Sequence, residues 1–251
     1  MSDAVARRRF RATVAYDGTA YCGFQRQVAT QPTVQQELER AIGRLASGSV
    51  SVTAAGRTDS GVHARGQIIS FELGWKHDVD SLQRAVNAAL PADIALVSLS
   101  ESDLDFHPRY DARRRAYHYY LYNAPTRSPL HRLYSWHVRR PLKVAHMNEA
   151  ARHLVGIHDF ATFGQPPQGE VTIREIFRAD WQRQDEMLVF HIEGNAFLYR
   201  MVRSIVGSLV AVGSGAWTVD DFVSAFEARD RSRAATTAPP QGLCLISVSY
   251  D

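Results

Sequence analysis

Long apolar runs, cysteine and lysine are all scarce in this chain, and each shortage removes a class of protein. No stretch of about eighteen consecutive apolar residues occurs, so no segment reads as a membrane-spanning helix and no membrane partner is expected. Cys22 and Cys244 are the only cysteines in 251 residues, which argues against a disulfide framework and leaves no CxxC pair for a metal. The start, Met1 to Arg9, carries a charge cluster but no apolar segment of signal-peptide length, and the expected location is the cytoplasm. Lysine occurs only at Lys76 and Lys143, so the 29 basic side chains are nearly all arginines.

What remains is a globular composition, 45% hydrophobic and 22% charged, with a formal charge of +3 and a pI near 9.0. Arginine's planar fork suits bidentate phosphate contacts and stacking on bases. A codon bias toward arginine accounts for the total equally well. Local clusters carry more information: Arg7, Arg8, Arg9 and Arg11; Arg109 and Arg113 to Arg115; Arg139 and Arg140; Arg229, Arg231 and Arg233. Most such clusters are solvated faces. Arg113 to Arg115, however, run into Tyr117, Tyr119, Tyr120 and Tyr122, and basic residues interleaved with aromatics favour a nucleic-acid surface.

The stretch Gly56-Arg57-Thr58-Asp59-Ser60-Gly61-Val62-His63-Ala64 is the one around which the chain is organised. Val50 and Val52 alternate before it as in a half-buried strand, and Gln67 to Phe71 forms a strand after it. Two glycines thus bracket a lone carboxylate between strands. Gly56 and Gly61 can adopt positive φ or admit another backbone, so the loop either presents Asp59 in a fixed pose or is a turn whose Asp bonds neighbouring amides.

Read in order, residues 8–16 alternate as a strand, Pro32 suits the first turn of a helix that ends near Gly48, and strands follow at about 49–54 and 67–72. Leu82 to Leu90 marks a helix stopped by Pro91, and Ile94 to Leu99 a strand. The order is β-α-β-β-α-β, the ferredoxin-like arrangement. The second half has a strand at about 115–122, an extended insertion at Leu133 to Val138 and a helix at about 143–155. Strands at about 172–183 and 186–194 follow, then a long apolar helix at about 196–213. Thr218 reads as the N-cap of a further helix through Arg229, and Leu243 to Tyr250 closes as a strand. Without its insertions this is the same order again. The expected class is therefore α+β, with an amino-terminal half at 1–110 carrying the Asp59 loop and a second half at 111–251. Two such antiparallel sheets side by side would leave a cleft. Gly164 to Gly169 and Arg229 to Gln241 are expected as loops, the second of them mobile.

Several blocks resemble those of the bacterial tRNA pseudouridine synthase I family. They are the Asp59 loop itself; Tyr16-Asp17-Gly18 through Tyr21-Cys22-Gly23-Phe24-Gln25-Arg26-Gln27 with Thr33-Val34-Gln35; Phe106 to Ala112 running into Arg115 to Tyr119; Phe197 to Arg203; and Ala238 to Leu243. They occur in order from about residue 9 to 250. Phe24 stands where the family has Trp, Pro108 where it has Ala, and Cys244 where it has Tyr. The resemblance implies the pseudouridine synthase fold, with RNA in a basic cleft. It also implies that uridines 38, 39 and 40 of the tRNA anticodon stem-loop are isomerised by a homodimer without metal or organic cofactor.

It implies roles as well. Asp59 would be the catalytic carboxylate, and Arg203 its ion-pair partner. Tyr117 would pack on the target base and help remove its C5 proton, and Arg57 would fill the space left by the displaced base. Arg109, Gln25 and Gln27 are further substrate-binding candidates, and Asp17 a weaker one. On residues alone, Arg203 in an apolar helix either snorkels to solvent or meets a carboxylate. On residues alone Tyr117 reads first as a core or sheet-face tyrosine, since Tyr119 shares its side at period two.

Making pseudouridine breaks the C1′–N1 bond, turns the bound uracil, joins C5 to C1′ and releases the C5 proton. No electrons, phosphate or water are consumed. A single carboxylate attacking C1′, adding to C6 or removing the C2′ proton each fits. Two rivals stand beside this reading. Asp59, His63 and His107 suggest a metal hydrolase, and a ferredoxin-like sheet with basic and aromatic faces suggests a noncatalytic RNA-binding protein.

Overall fold

The computed structural model describes residues 6–27, 31–46, 48–166 and 169–251; Met1 to Val5 of the charged start and Pro167 and Gln168 of the expected loop lie outside the described residues. Contacts divide the chain into two compact units, Met1–Ala112 with Leu245–Asp251, and Arg113–Cys244.

The first unit opens with β1 (Arg7–Tyr16), α1 (Val34–Gly43), β2 (Thr53–Ala54), β3 (His63–Gly74), α2 (Val79–Ala89) and β4 (Ile94–Glu101). β3 lies beside β1 and β1 beside β4, all antiparallel, with β2 on β3. The alternation in β1 does what the sequence implies: Phe10, Ala12 and Val14 are fully buried. Thr33 caps α1 in a capping box with Gln36, so Pro32 stands just before the cap and not in the first turn. Asp78 caps α2, and Leu90 is extended because Pro91 follows it.

β2 is much shorter than the strand expected at 49–54, although Val50 and Val52 are buried. Side chains of α1 explain this. Val52 donates its N–H to the Glu39 carboxylate at 3.1 Å, and its carbonyl accepts the Gln35 amide at 3.0 Å, so no ladder partner is needed.

The arginines of β1 act inside the unit. Arg8 pairs with Glu101 and donates to the carbonyls of Trp75 and His77. Arg9 pairs with Glu72 and reaches the Phe106 carbonyl at 3.3 Å. Arg11 stacks on Phe106 at 5.1 Å and Tyr250 at 4.2 Å.

The second unit comprises β5 (Arg114–Tyr122), β6 (Trp136–His137), α3 (Val144–Arg152), β7 (Gly156–Asp159), β8 (Ile173–Gln184), β9 (Met187–Gly194), α4 (Met201–Gly213) and α5 (Val219–Glu227). β5, β9, β8 and β7 lie in that order, antiparallel, and β6 runs parallel to β5. The four-residue β7 has no counterpart in the sequence reading. α4 is buried on nearly every side, as its mostly apolar circumference requires. It begins at Met201 and not near 196. Arg200 sits in the left-handed region at φ 61, and Tyr199 is drawn into a bridge with Gln165 through a 2.9 Å bond. A left-handed non-glycine residue costs on the order of 1–2 kcal/mol and cannot continue a right-handed helix. Thr218 caps α5 in a capping box with Asp221, as read from sequence.

The last strand, β10 (Leu243–Ser249), departs from the expected division at residue 110. From Leu245 onward it belongs to the first unit, where it lies beside β3. Gly66 permits this. A Cβ there would stand 2.2 Å from the Ile246 carbonyl oxygen, so only glycine admits the approach.

Candidate active site

Asp59 lies between β2 and β3 on a loop whose main chain is fastened on both sides. Phe24 donates to the Thr58 carbonyl at 3.1 Å, Val62 to the Asp59 carbonyl at 3.1 Å, and Gly61 to the Tyr21 carbonyl at 3.3 Å. The Gln67 amide holds the Gly56 carbonyl at 2.9 Å. Gly61 has φ 77, the turn geometry its sequence position suggested. Gly56 has neither a positive φ nor any atom near its missing side chain, so its expected role is corrected. The glycines that matter instead are Gly18 and Gly23. Added Cβ atoms there would stand 2.0 Å from the Val62 carbonyl oxygen and 2.7 Å from that of Thr58.

Thr58 is buried and shares a 2.7 Å hydrogen bond with the Tyr16 hydroxyl. Arg57 is exposed and Asp59 half-buried. His63 is buried, and its Nδ1 accepts the Gly18 N–H at 3.1 Å and lies 3.1 Å from the Asp17 carboxylate. His107 likewise uses Nδ1 to accept the N–H groups of Arg109 at 3.2 Å and Tyr110 at 3.3 Å. Both histidines of the metal-hydrolase rival thus hold backbone amides. Among the described residues no cluster of three or more His, Cys, Asp or Glu is placed to hold a metal.

The amino-terminal candidates separate. Gln25 is exposed. Gln27 donates to the Cys22 carbonyl at 3.0 Å, and Asp17 accepts from the amide and hydroxyl of Thr19, so both make local turn bonds. Arg109 is half-buried, with its guanidinium 5.7 Å from the Tyr110 ring.

The second unit holds Arg115 to Tyr119, Phe197 to Arg203 and Ala238 to Leu243 of the resembling blocks. Tyr117 on β5 is half-buried and meets the Phe197 ring edge-on at 5.2 Å. Tyr119, on the same side of β5 but fully buried, donates to the Pro239 carbonyl at 2.9 Å. Arg203 on α4 donates through Nε to the Ala238 carbonyl at 2.8 Å, and the Ala238 N–H returns a bond to the Arg203 carbonyl at 3.0 Å. The segment expected as a mobile loop is tied to α4 at Ala235, whose N–H donates to the Ser208 hydroxyl at 3.2 Å, and again at Ala238. Nothing in one chain's periodicity marks Tyr16, Tyr119 or Ala238 as partners of the candidate residues; only their positions inside the resembling blocks could have.

A family model described as tRNA pseudouridine synthase matches residues 12–111 and 150–251. The chain belongs to the tRNA pseudouridine synthase family, and its reaction is isomerisation of tRNA uridine to pseudouridine. It is 44% identical over 97% of its length to tRNA pseudouridine synthase A of Pseudothermotoga lettingae, covering 100% of that protein. It is 42% identical over 97% to the Geobacillus sp. protein of the same name, covering 99% of it. A solved Cbf5-Nop10-Gar1 complex aligns over 94% of this chain and 49% of that one at 10% identity and a TM-score of 0.39, too distant to bear on the site.

Burial pushes the Tyr119 phenol well above the ordinary tyrosine value, against a smaller opposite pull from Arg203. Tyr21 is raised too, by burial first and then by its bond to Asp93. A folded pKa above the unfolded one gives stability that is complete below about pH 10 and is lost as the pH rises beyond it. Tyr119→Phe is expected to lower stability at pH 8 by about 1 kcal/mol through the lost bond to Pro239. It should also flatten the fall of the urea midpoint between about pH 9.5 and 11.5. Equal slopes in variant and wild type would mean that Tyr119 ionises as readily folded as unfolded.

Proposed function

We propose that this protein converts uridines 38, 39 and 40 of the tRNA anticodon stem-loop to pseudouridine, with Asp59 as the reacting carboxylate. The observation that carries the reading is the family match across both ends of the chain, with the Asp59 loop intact and rigidly mounted inside it. Tyr117 takes the role of packing on the uracil and drawing off its C5 proton. Arg203 takes that of the cation holding Asp59 ionised, and Arg57, exposed beside Asp59, that of entering the space the base vacates. Arg109, Gln25 and Gln27 supply further substrate contacts. The protein acts as a homodimer in the cytoplasm, with no metal or organic cofactor. Three neighbouring target positions suit recognition of RNA shape more than of base sequence. A uridine must leave its stack first, which costs a few kcal/mol and is offset by stacking and phosphate contacts.

Purified protein incubated with unmodified tRNA, followed by pseudouridine mapping, tests the reading. Conversion at positions 38 to 40 is expected, and it should be unchanged after dialysis against EDTA. RNA binding without any conversion would establish the noncatalytic alternative. Asp59→Asn should abolish conversion while leaving tRNA affinity within a few fold, since the amide keeps the shape and loses the charge. An Asn variant that still turns over would remove Asp59 from its role.

Arg203 supplies a separate test. Arg203→Met is expected to slow conversion about tenfold or more while leaving tRNA affinity within a few fold, since it removes the charge and keeps an unbranched stem. An unchanged rate would mean that Arg203 does not act on Asp59.

A further inference from the structure

We propose that Tyr16 and Thr58 are a positioning pair for Asp59, an inference that rests on Asp59 being the reacting carboxylate. Thr58 precedes Asp59 directly in the chain. Its side chain is turned into the core, where the residue is 7% exposed, and Tyr16 is 4% exposed. Their hydroxyls meet at 2.7 Å. Thr58 is buried and Asp59, the next residue, is half-buried, so pinning the Thr58 side chain inward restrains the stretch of backbone that carries the carboxylate.

The placement of Tyr16 shows the pairing to be built by the fold. Along β1 the register with β3 is regular down to Val14, which faces Gln67, and it then slips, so that Tyr16 faces Ala64. β3 has one residue more than β1 over that interval, a bulge of the kind that re-aims side chains beside functional sites. The slip brings the phenol at the end of β1 to the loop at the start of β3. The backbone bonds already described fix the Thr58 and Asp59 carbonyls, and the Tyr16–Thr58 bond adds a restraint on the side chain of the residue adjoining the carboxylate. A reacting group displaced by about 1 Å can lose about a hundredfold in rate, so a bond at this point acts on turnover more than on binding.

The test is single-turnover conversion of unmodified tRNA at saturating enzyme, with KM measured alongside, for Tyr16→Phe, Thr58→Val, Thr58→Ser and the Tyr16→Phe/Thr58→Val double variant. Tyr16→Phe keeps the ring that packs against Phe24, and Thr58→Val keeps the branched shape. Each is expected to slow the chemical step about ten- to a hundredfold, with KM within about twofold. Thr58→Ser, which retains the hydroxyl, should stay within about threefold of wild type. The double variant should be no slower than the slower single one, because one bond is being removed twice.

A wild-type rate in Tyr16→Phe, losses that multiply in the double variant, or a rise in KM with an unchanged chemical step would each overturn the pairing. If Tyr16→Phe does not fold by circular dichroism, the contrast between Thr58→Ser and Thr58→Val decides: equal rates sink the proposal. Asp59→Asn run in parallel separates the two levels. An inactive Asn variant with a fully active Tyr16→Phe defeats this inference alone, whereas an active Asn variant defeats the underlying assignment and leaves nothing to position.

Discussion

The structure of the first unit depends on two places where one backbone touches another with no side chain between them. Gly18 lies against the Val62 carbonyl and Gly23 against that of Thr58, at separations that no Cβ tolerates. Those carbonyls flank Asp59 on either side. The loop therefore takes its position from the segment after β1, and that segment takes its own from α1: Val34 donates to the Gly23 carbonyl at 3.3 Å and Gln35 to that of Phe24 at 2.9 Å. The capping box at Thr33 fixes where α1 begins, and so where those two amides point. A side chain placed this way is located by covalent geometry and short main-chain bonds, which vary less than side-chain packing does.

The second unit repeats the device. A Cβ on Gly207 of α4 would stand 1.9 Å from the Thr236 carbonyl oxygen, and one on Gly242 would stand 2.6 Å from the Tyr119 ring. The chain from Thr236 to Gly242 is thus pressed onto α4 at one end and onto β5 at the other. Between them Arg203 exchanges two bonds with Ala238, one through its side chain and one through its carbonyl. The cation's stem is held by a helix and its Nε by a backbone carbonyl, which leaves its direction little freedom. A guanidinium is suited to this because it can spend one N–H on orientation and keep others for a second partner, whereas an ammonium has no fixed plane to orient.

These contacts also show where a single sequence stops being informative. Periodicity and caps are local, and they placed β1, β3, α2, α3 and α5 well. The failures are tertiary. Val50 and Val52 have a strand's pattern, yet the backbone partners of Val52 are the Gln35 and Glu39 side chains. The run from Ala196 to Gly213 is apolar enough for one helix, yet Tyr199 is taken by Gln165 and Arg200 bends left. The closing strand's residues after Cys244 group with the first unit, which turns on a glycine far away in the chain, Gly66. The Asp59 loop stands out in sequence through the glycines that bracket it, but Gly56 proved idle while Gly18 and Gly23 hold that loop. Close approach between distant segments leaves no periodic trace in either of them.

The arginine bias reads differently once its members are placed. A lysine-poor, arginine-rich chain suggests a surface made for phosphate, but Arg8, Arg9, Arg114 and Arg203 all engage protein acceptors, and Arg11 lies over two aromatic rings. Several of these contacts are ones lysine cannot make: a fork shared between a carboxylate and carbonyls, or a plane laid on a ring. Much of the bias therefore serves the fold. The arginines left at the surface, among them Arg57, Arg113, Arg139 and Arg140, form a smaller set from which phosphate contacts can be drawn. Because counterion release scales with the phosphates neutralised and not with the arginines encoded, RNA affinity in this chain is limited by that exposed subset, and composition alone overstates it.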